Sequence, residues 1–432
     1  MYESRRILGS TGTRGTMLLV TLLLVSTAGA AQFTVNDKQD APDSGLDGVC
    51  ATAAGVCSLR AAIQEANASP GADTIQLPAA KYGLKLVGAG EDAAATGDLD
   101  ITDDLTILGA GAGPTVVKGK KDRVFEILGA TVAMSGLTVS KGTVGKKGDF
   151  GSEFGGGGIR NGGDLTLTDC VVTSNKASDD GGGLANDGGT LTLVRTTVSK
   201  NKAEDDAGGI DNDNGTVMLT ETTVDKNQAG DEGGGMESEG GDTTATATTI
   251  SNNKGKNNAG GVNLEQGGEF SGTNVTVSGN KAKTAGGGIN VEDFTSSATL
   301  TSTSLKNNKA RSGAAIANAG GTVTVTSSLF DKNKKSTCDG IITSGGGNVE
   351  DTDDCGLGGG DVRGAGKLKI KGLKDNGGPT KTHALVAGNP AIDAGNDAAC
   401  PGVDQRGIGR VDVPGVGSAT CDAGAYEFVP PP

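Results

Sequence analysis

Residues 181–201, GGGLANDGGTLTLVRTTVSKN, contain one complete copy of the unit that decides the fold of this 432-residue chain. A glycine-rich step ends in the apolar residue Leu184, an alternating segment follows, and Asn201 stands three residues after Val198. The asparagine position occurs seven times, at intervals of 26, 26, 26, 27, 28 and 25 residues: Asn175, Asn201, Asn227, Asn253, Asn280, Asn308 and Asn333. A fixed period of this length is typical of a solenoid.

Apolar and polar residues alternate within each unit, as at Leu191 and Leu193. This period of two predicts β-strands with one buried face. Short strands in so short a unit can bury that face only by winding into coils that stack on one another. A β-propeller is the alternative, but its blades need about 40–50 residues and four antiparallel strands. The sequence therefore predicts an all-β fold, a right-handed parallel β-helix.

The chain divides into four parts. Residues 1–30 have three Arg, an apolar run and the small residues Ala28, Gly29 and Ala30, which predict a cleaved secretory signal peptide. Residues 31–94 form an N-terminal cap with one short helix at 59–66, for which Ser58 is the expected N-cap. The β-helix is expected at 95–340, with seven regular coils from about residue 156, and 341–432 form a loop-rich C-terminal cap.

The asparagine column has a structural interpretation. An inward Asn at a sharp corner can hydrogen-bond its own turn and the amide of the neighbouring coil, which satisfies buried polar groups at each step. The glycines allow the chain to bend where coils crowd. We therefore expect both columns to stabilise the fold.

Composition restricts the partners. The net charge is −14, and removal of residues 1–30, which hold three Arg and one Glu, leaves −16. A chain with this much negative charge repels phosphate backbones, and we therefore expect no nucleic-acid partner. After residue 30 no apolar run approaches the ~20 residues of a membrane-spanning helix, so no integral membrane segment is expected in the mature chain.

Seven cysteines in an exported chain predict disulfides. Proximity in the sequence pairs Cys50 with Cys57, Cys338 with Cys355, and Cys400 with Cys421. The remaining Cys170 falls at an inward position and is expected to be a buried filler.

Carboxylates form an outward column, each three residues after the apolar end of a glycine step: Asp187, Asp213, Glu239, Glu265 and Glu292, with Asp211 and Glu237 beside it. A shorter second stripe contains Asp179/Asp180, Asp205/Asp206 and Asp231/Glu232. Carboxylates stacked at the coil spacing repel one another by about 1 kcal/mol even in water. Bound Ca²⁺ would offset this repulsion. A solvated acidic face with neighbouring lysines is the alternative.

Two further columns point outward, one basic and the other rich in threonine. Lys follows the ladder Asn in six of the seven units: Lys176, Lys202, Lys254, Lys281, Lys309 and Lys334. This column is expected to keep the stack soluble, with polyanion binding as an alternative. A Thr-x-Thr pattern such as Thr166/Thr168 is similar to that of ice-binding proteins, although Thr is also a favoured exposed strand residue.

No catalytic motif is evident in the sequence. Asp103–Asp104 and Asp353–Asp354 are adjacent acids of the kind usually solvated in turns. The single histidine, His383, is expected to make a structural hydrogen bond rather than to act as a base. No Ser/His/Asp signature and no Cys/His metal spacing occurs.

Three groups of motifs resemble known families. Residues 57–67, CSLRAAIQEAN, and 71–78, GADTIQLP, resemble the CSLREA domain of bacterial surface proteins, with Ala61 where the name-giving motif has Glu. Residues 377–385, GGPTKTHAL, with NPAIDAG at 389–395, DQRG at 404–407, CD at 421–422 and GAYE at 424–427, resemble the choice-of-anchor Q domain. The glycine steps followed by apolar-x-x-Asn resemble the β-helical repeats of polymorphic outer-membrane proteins, which are linked to adhesion.

These resemblances imply a bacterial protein that is secreted or held at the cell surface, and none implies a defined reaction. The expected function is that of an exported, non-enzymatic adhesion or cell-envelope module, stiffened by Ca²⁺, with an extracellular glycan or protein as its ligand. A pectate-lyase-like polysaccharide lyase or hydrolase acting on acidic glycans is the main alternative, and ice binding is a minor one.

Overall fold

The computed structural model describes residues 29–88, 90–146, 154–417 and 420–430. It confirms the predicted parallel β-helix, because each coil contributes one strand to each of three long parallel sheets. The predicted signal peptide lies almost entirely outside the described residues. Among the described residues, no helix is both long and apolar enough to cross a bilayer.

Sheet A is the longest sheet and has twelve strands. Its strands are Gln32–Thr34, Asp73–Leu77, Leu105–Gly109, Thr131–Ser135, Asp164–Thr168, Thr190–Val194, Thr216–Thr220, Asp242–Thr246, Glu269–Thr273, Ser297–Thr301, Thr322–Thr326 and Thr343–Ser344.

Sheet B has eleven strands and follows sheet A in each coil. Its strands are Lys81–Gly83, Val116–Lys118, Thr138–Ser140, Val171–Thr173, Thr197–Ser199, Thr223–Asp225, Thr249–Ser251, Thr276–Ser278, Ser304–Lys306, Leu329–Asp331 and Val349–Glu350.

Sheet C has ten strands and contains the apolar ends of the glycine steps. Its strands are Leu99–Ile101, Phe125–Ile127, Ile159–Asn161, Leu184–Asp187, Ile210–Asp213, Met236–Glu239, Val262–Glu265, Ile289–Val291, Ile316–Asn318 and Cys338–Asp339. A small fourth sheet of Thr143–Val144, Lys176–Ala177 and Lys202–Ala203 lies at the corner between sheets B and C.

The core is a set of apolar columns inside the coils. Leu191 and Leu193 of sheet A, Val198 of sheet B and Leu184 of sheet C are all buried. Leu191 is in register with Val217 of the next coil, and the same one-to-one pairing continues along sheet A. The period-two pattern thus places one face of every strand in a single continuous core.

The seven asparagines form a hydrogen-bonded ladder at the corner after sheet B. In the coil of Asn201, the side-chain amide donates to Val172 O at 3.0 Å and to Asn227 Oδ1 at 3.1 Å. The backbone N–H of Asn201 donates to the same Asn227 oxygen at 2.9 Å. The residue before the asparagine, Lys200, has a left-handed backbone with φ of 57°. Each asparagine therefore satisfies a tight corner and joins it to the next coil.

The N-terminal region contains one α-helix, α1 at Leu59–Ala68. Ser58 caps it by accepting a hydrogen bond from Ala61 N at 3.0 Å, as predicted. The helix ends two residues later than predicted, because Ser69 precedes Pro70, and a residue before proline is driven from the helical to the extended conformation. Arg60 is buried against Asp40 at 2.7 Å.

Residues 341–417 and 420–430 add the last strands of sheets A and B and then fold back along the outer surface of sheet B. Gln405 is the main attachment point: its side chain accepts a hydrogen bond from Thr276 Oγ1 at 2.6 Å and donates to Thr249 Oγ1 at 2.9 Å. Thr249 Oγ1 in turn donates to Lys381 O at 2.7 Å. This returning segment, rather than solvent, covers the middle of sheet B.

Three disulfides join the pairs that the sequence spacing predicts: Cys50–Cys57, Cys338–Cys355 and Cys400–Cys421. Cys170 is a buried free thiol inside the coils, and burial raises its pKa to about 11. It is therefore protonated and unreactive at neutral pH.

Candidate functional site

The carboxylates proposed as metal ligands lie together along the outer surface of sheet C. We call this surface the acidic face: Asp187, Asp211, Asp213, Glu237, Glu239, Glu265 and Glu292. Asp187 is in register with Asp213 of the next coil, and Glu239 with Glu265. The repeat thus places like charges directly above one another.

The second acidic stripe folds onto the acidic face. Asp180 Oδ1 accepts a hydrogen bond from Asp206 N at 2.8 Å, and Asp206 Oδ1 accepts one from Glu232 N at 2.6 Å. The two stripes appear separate in the sequence. In the fold, the turn before each glycine step brings the stripe beside sheet C, where Asp180 interacts electrostatically with Glu239 and Glu232 with Glu292.

Crowding and burial hold these carboxyls protonated at higher pH than usual. Burial, supported by the charges of neighbouring acids, raises the pKa of Asp180 and of Asp206 to about 7 and that of Glu232 to about 8. Burial also raises the pKa of Asp211 and Glu237 well above the usual range. Ionised carboxylates are therefore costly here unless a cation neutralises them.

Two pairs of carboxyl groups interact directly and influence each other's pKa: Glu232 with Glu292, and Glu237 with Glu265. Two carboxyl groups this close share a proton or enclose a cation, because both cannot remain ionised side by side. Amide oxygens and nitrogens complete the surroundings, with Asn263 Nδ2 donating to Glu237 Oε1 at 2.7 Å.

Among the described residues, three carboxylates of the second acidic stripe are close enough to share a hard divalent cation, whereas no three carboxylates of the acidic face are grouped this closely. One oxygen from each of Asp179, Asp180 and Asp205 lies within 4.8 Å of the others. Ca²⁺ takes six to eight oxygen ligands, many of them from carboxylates. Asp187 differs from the other carboxylates of the acidic face, because its Oδ2 is 2.6 Å from Arg160 Nε and this ion pair already neutralises its charge.

A polar groove of about 600 Å³ lies where the returning C-terminal segment crosses sheet B. Its sheet-side lining comes from successive coils and includes Thr223, Asp225, Lys226, Thr249, Ser251, Asn252, Ser278 and Lys281. Its opposite wall comes from the C-terminal segment and includes Asp375, Pro379, Thr380, Lys381 and His383. The volume is within the range of small-ligand sites.

Asp225 is fixed in the floor of this groove. Ser251 Oγ and Asn252 Nδ2 donate to Asp225 Oδ1 at 2.9 and 2.8 Å, and Lys226 Nζ lies 2.8 Å from Oδ2. Although burial acts to raise it, these bonds outweigh burial and lower the pKa of Asp225. The aspartate is therefore ionised and rigidly placed.

The other outward columns form continuous surfaces. Lys202, Gln228, Lys254, Lys281, Lys309 and Lys334 are bridged in sequence along one corner of the helix. On sheet A, the column that begins at Thr166 and Thr192 continues through Met218, which is 40% exposed and interrupts its polar surface.

The adjacent acid pairs have turn contacts. Asp104 Oδ1 accepts a hydrogen bond from Thr131 N at 2.8 Å, and Asp354 Oδ2 accepts one from Thr337 N at 3.1 Å. These two side chains thus tie together backbone segments of successive coils.

In the described part of the chain, the fold and surfaces define a parallel β-solenoid with an acidic face and a polar groove. The structure is similar to the crystal structure of pectate lyase Pel9A, with a TM-score of 0.51 and 13% sequence identity, over 92% of this chain and 96% of that chain. At this identity the similarity shows the fold alone. No protein-family model matches the sequence, and no curated protein matches it.

Proposed function

We propose that this chain is an exported, non-enzymatic β-helical protein that serves as an adhesion or cell-envelope module. Its ligand is an extracellular glycan or protein held in the polar groove. The observation that carries this proposal is the groove itself, whose two walls present hydroxyl, amide, lysine and carboxylate groups in about 600 Å³. Three disulfides support an oxidising, extracellular location.

A glycan fits the chemistry of the lining better than an apolar ligand. Thr223, Thr249 and Thr276 occupy the same register position on successive coils. The Thr249 and Thr276 hydroxyls bond the C-terminal segment through Lys381 O and the Gln405 side chain, so this segment closes one end of the polar row. Thr223 and Thr249 line the groove, and Asp225 can accept hydrogen bonds from sugar hydroxyls.

The titratable groups of the groove support binding rather than turnover. Asp225 is engaged by three donors, which keeps it a weak base. Burial lowers the pKa of His383 to about 4, so its imidazole is neutral and weakly basic at physiological pH. A general base works best when its pKa lies near the operating pH.

The test is a binding measurement on the mature chain, residues 31–432, with immobilised neutral and acidic extracellular polysaccharides. Lys281→Glu changes a lysine in the groove and should weaken binding at least tenfold. Lys309→Glu, in the same lysine column but outside the groove lining, is the matched control and should bind as the unmodified protein does. Equal effects of the two substitutions would contradict the proposed site.

A polysaccharide lyase acting on acidic glycans is the second candidate, because Lys226, Lys281 and Lys381 border the same groove. Incubation with acidic polysaccharides, followed by detection of unsaturated or reducing ends, separates the two functions. Sustained turnover that Lys281→Glu abolishes would replace the binding proposal.

We also propose that Ca²⁺ binds the acidic face and stiffens the rod. The interacting carboxyl pairs Glu232–Glu292 and Glu237–Glu265 support this, because a cation would relieve their mutual repulsion. Millimolar Ca²⁺ should raise the melting temperature at pH 8, and a chelator should reverse it. The double variant Glu232→Gln/Glu237→Gln should lose most of this shift, while Glu269→Gln on sheet A should keep it. Absence of any Ca²⁺-induced shift would rule out the acidic face as a calcium site.

A further inference from the structure

A separate carboxylate cluster is buried where the N-terminal region meets the first coils. Asp100 and Glu126 are in register on neighbouring strands of sheet C, and Asp98 precedes the first of these strands. One oxygen from each of the three side chains lies within 4.8 Å of the others. We call these three residues the N-terminal carboxylate cluster.

Several oxygens in this cluster are buried without hydrogen bonds. Asp98 and Asp100 are 4% and 0% exposed. Asp98 Oδ2, Asp100 Oδ1 and the nearby Asp122 Oδ2 accept no hydrogen bond from any residue that the structure describes. Buried polar atoms are almost always satisfied, and an unpaired buried carboxylate oxygen is costly. Asp100 Oδ1 and Asp122 Oδ2 thus have free capacity to bind a ligand, and Asp98 Oδ2 has only a long ion-pair contact at 3.5 Å.

Among the described residues, the nearby cations do not balance the cluster. Arg123 Nη1 lies 2.5 Å from Glu126 Oε2 and 3.5 Å from Asp98 Oδ2. Arg160 Nη1 reaches Glu126 Oε1 at 2.8 Å, but the same guanidinium is also paired with Asp187. Within the part of the chain that the structure describes, the three buried carboxylates pair with Arg123 and share Arg160 with Asp187. These pairs leave a negative charge that a bound cation would neutralise.

We propose that the N-terminal carboxylate cluster binds one Ca²⁺ ion through Asp98, Asp100 and Glu126. All the donors are carboxylate oxygens, which suits a hard cation and not a metal that prefers nitrogen or sulfur. The site is distinct from the acidic face, whose ligands lie on later coils.

The ion would join the N-terminal region to the β-helix. Asp100 Oδ2 accepts a hydrogen bond from Ala94 N at 2.8 Å, while Arg60 of α1 donates to Ala94 O at 2.9 Å and Gly97 O at 2.8 Å. Residues 94–98 are thus held between α1 and the cluster. A cation on Asp98 and Asp100 would fix this segment over the first coil.

The test is calcium titration calorimetry at pH 7.5 on the mature chain. The double variant Asp98→Asn/Asp100→Asn should bind one Ca²⁺ fewer than the unmodified protein, while the acidic-face variant Glu232→Gln/Glu237→Gln should retain that ion. Glu126→Gln alone should weaken the site by about tenfold or more, which provides a measurement if the double variant folds poorly.

Hydrogen exchange gives an independent readout. Ca²⁺ should slow exchange of the amides at 94–101 in the unmodified protein and in the acidic-face variant, but not in Asp98→Asn/Asp100→Asn. The same Ca²⁺ stoichiometry and affinity in the unmodified protein and the double variant would overturn the proposal. In that case the carboxylates of the cluster would be stabilised by sharing a proton rather than by binding Ca²⁺.

Discussion

Ser278 Oγ and His383 Nε2 lie 2.8 Å apart, although 105 residues separate them in the sequence. The other ring nitrogen, Nδ1, is 2.9 Å from Lys371 O, an acceptor, so Nδ1 carries the proton and Nε2 accepts from the serine. Both residues are buried. The contact therefore fixes a neutral histidine of the C-terminal segment to the surface of sheet B.

This contact predicts an acid-labile attachment. Burial lowers the pKa of His383 to about 4, so the folded state binds fewer protons than the unfolded state between pH 4 and 6.5. The histidine thus makes stability fall as the pH falls through this window. Urea midpoints at pH 7, 5 and 4 should decrease more in the unmodified protein than in His383→Gln. Parallel pH profiles would show that the histidine does not titrate as inferred.

The second acidic stripe, which lies against the acidic face, predicts the opposite pH dependence in calcium-free protein. The pKa values of Asp206 and Glu232, about 7 and about 8, exceed those of unfolded Asp and Glu. The folded state therefore binds more protons between about pH 4 and 8, and this contribution to stability is lost as the pH rises. In EDTA, the difference in melting temperature between pH 6 and pH 8 should shrink in Glu232→Gln. Glu269→Gln should leave it unchanged, and an equal decrease in both variants would argue against a local origin.

The asparagine ladder predicts a large effect from one side chain. Asn227 donates to Val198 O at 3.0 Å and to Asn253 Oδ1 at 3.2 Å, and it accepts from Asn201. Asn227→Ala would leave several buried groups unpaired, at a cost of about 2–4 kcal/mol. Chemical denaturation should detect this loss. Gln228→Ala changes the exposed neighbour and should alter stability by less than about 0.5 kcal/mol. Similar losses in both variants would contradict the role given to the ladder.

The sequence predicted the parts of the fold that depend on neighbouring coils. An apolar residue at the position of Val198 and an asparagine at that of Asn201 recur in all seven regular units, so their burial follows from the stacking of coils. The three disulfides were predictable because each closes a short loop. The groove depends on contacts such as Ser278–His383, which no repeat encodes. The meeting of Asp180 with the acidic face depends on the backbone of the turn before the glycine step. Asp98 and Asp100 lie before the regular repeats. Because the 26-residue period is not visible there, the sequence could not show which residue of the next coil lies beside them.

Gln405 provides the sharpest test of how the C-terminal segment is held. Its side chain is buried, accepts from Thr276 Oγ1 at 2.6 Å and donates to Thr249 Oγ1 at 2.9 Å and Thr380 Oγ1 at 2.8 Å. Gln405→Leu keeps much of the side-chain volume but removes all three of these hydrogen bonds. Each buried hydroxyl left unpaired should cost about 1–3 kcal/mol of folding free energy.

Because the ladder and the core columns lie inside the coils, we expect this substitution to loosen the segment without unfolding the β-helix. Hydrogen exchange should increase at 371–385 and 403–410, while the amides of sheet A keep their protection. Gln228→Leu, which places the same side chain at an exposed corner, should leave both regions unchanged. If Gln405→Leu instead unfolds all regions together, the segment is part of the cooperative core, and the groove cannot open independently of the β-helix.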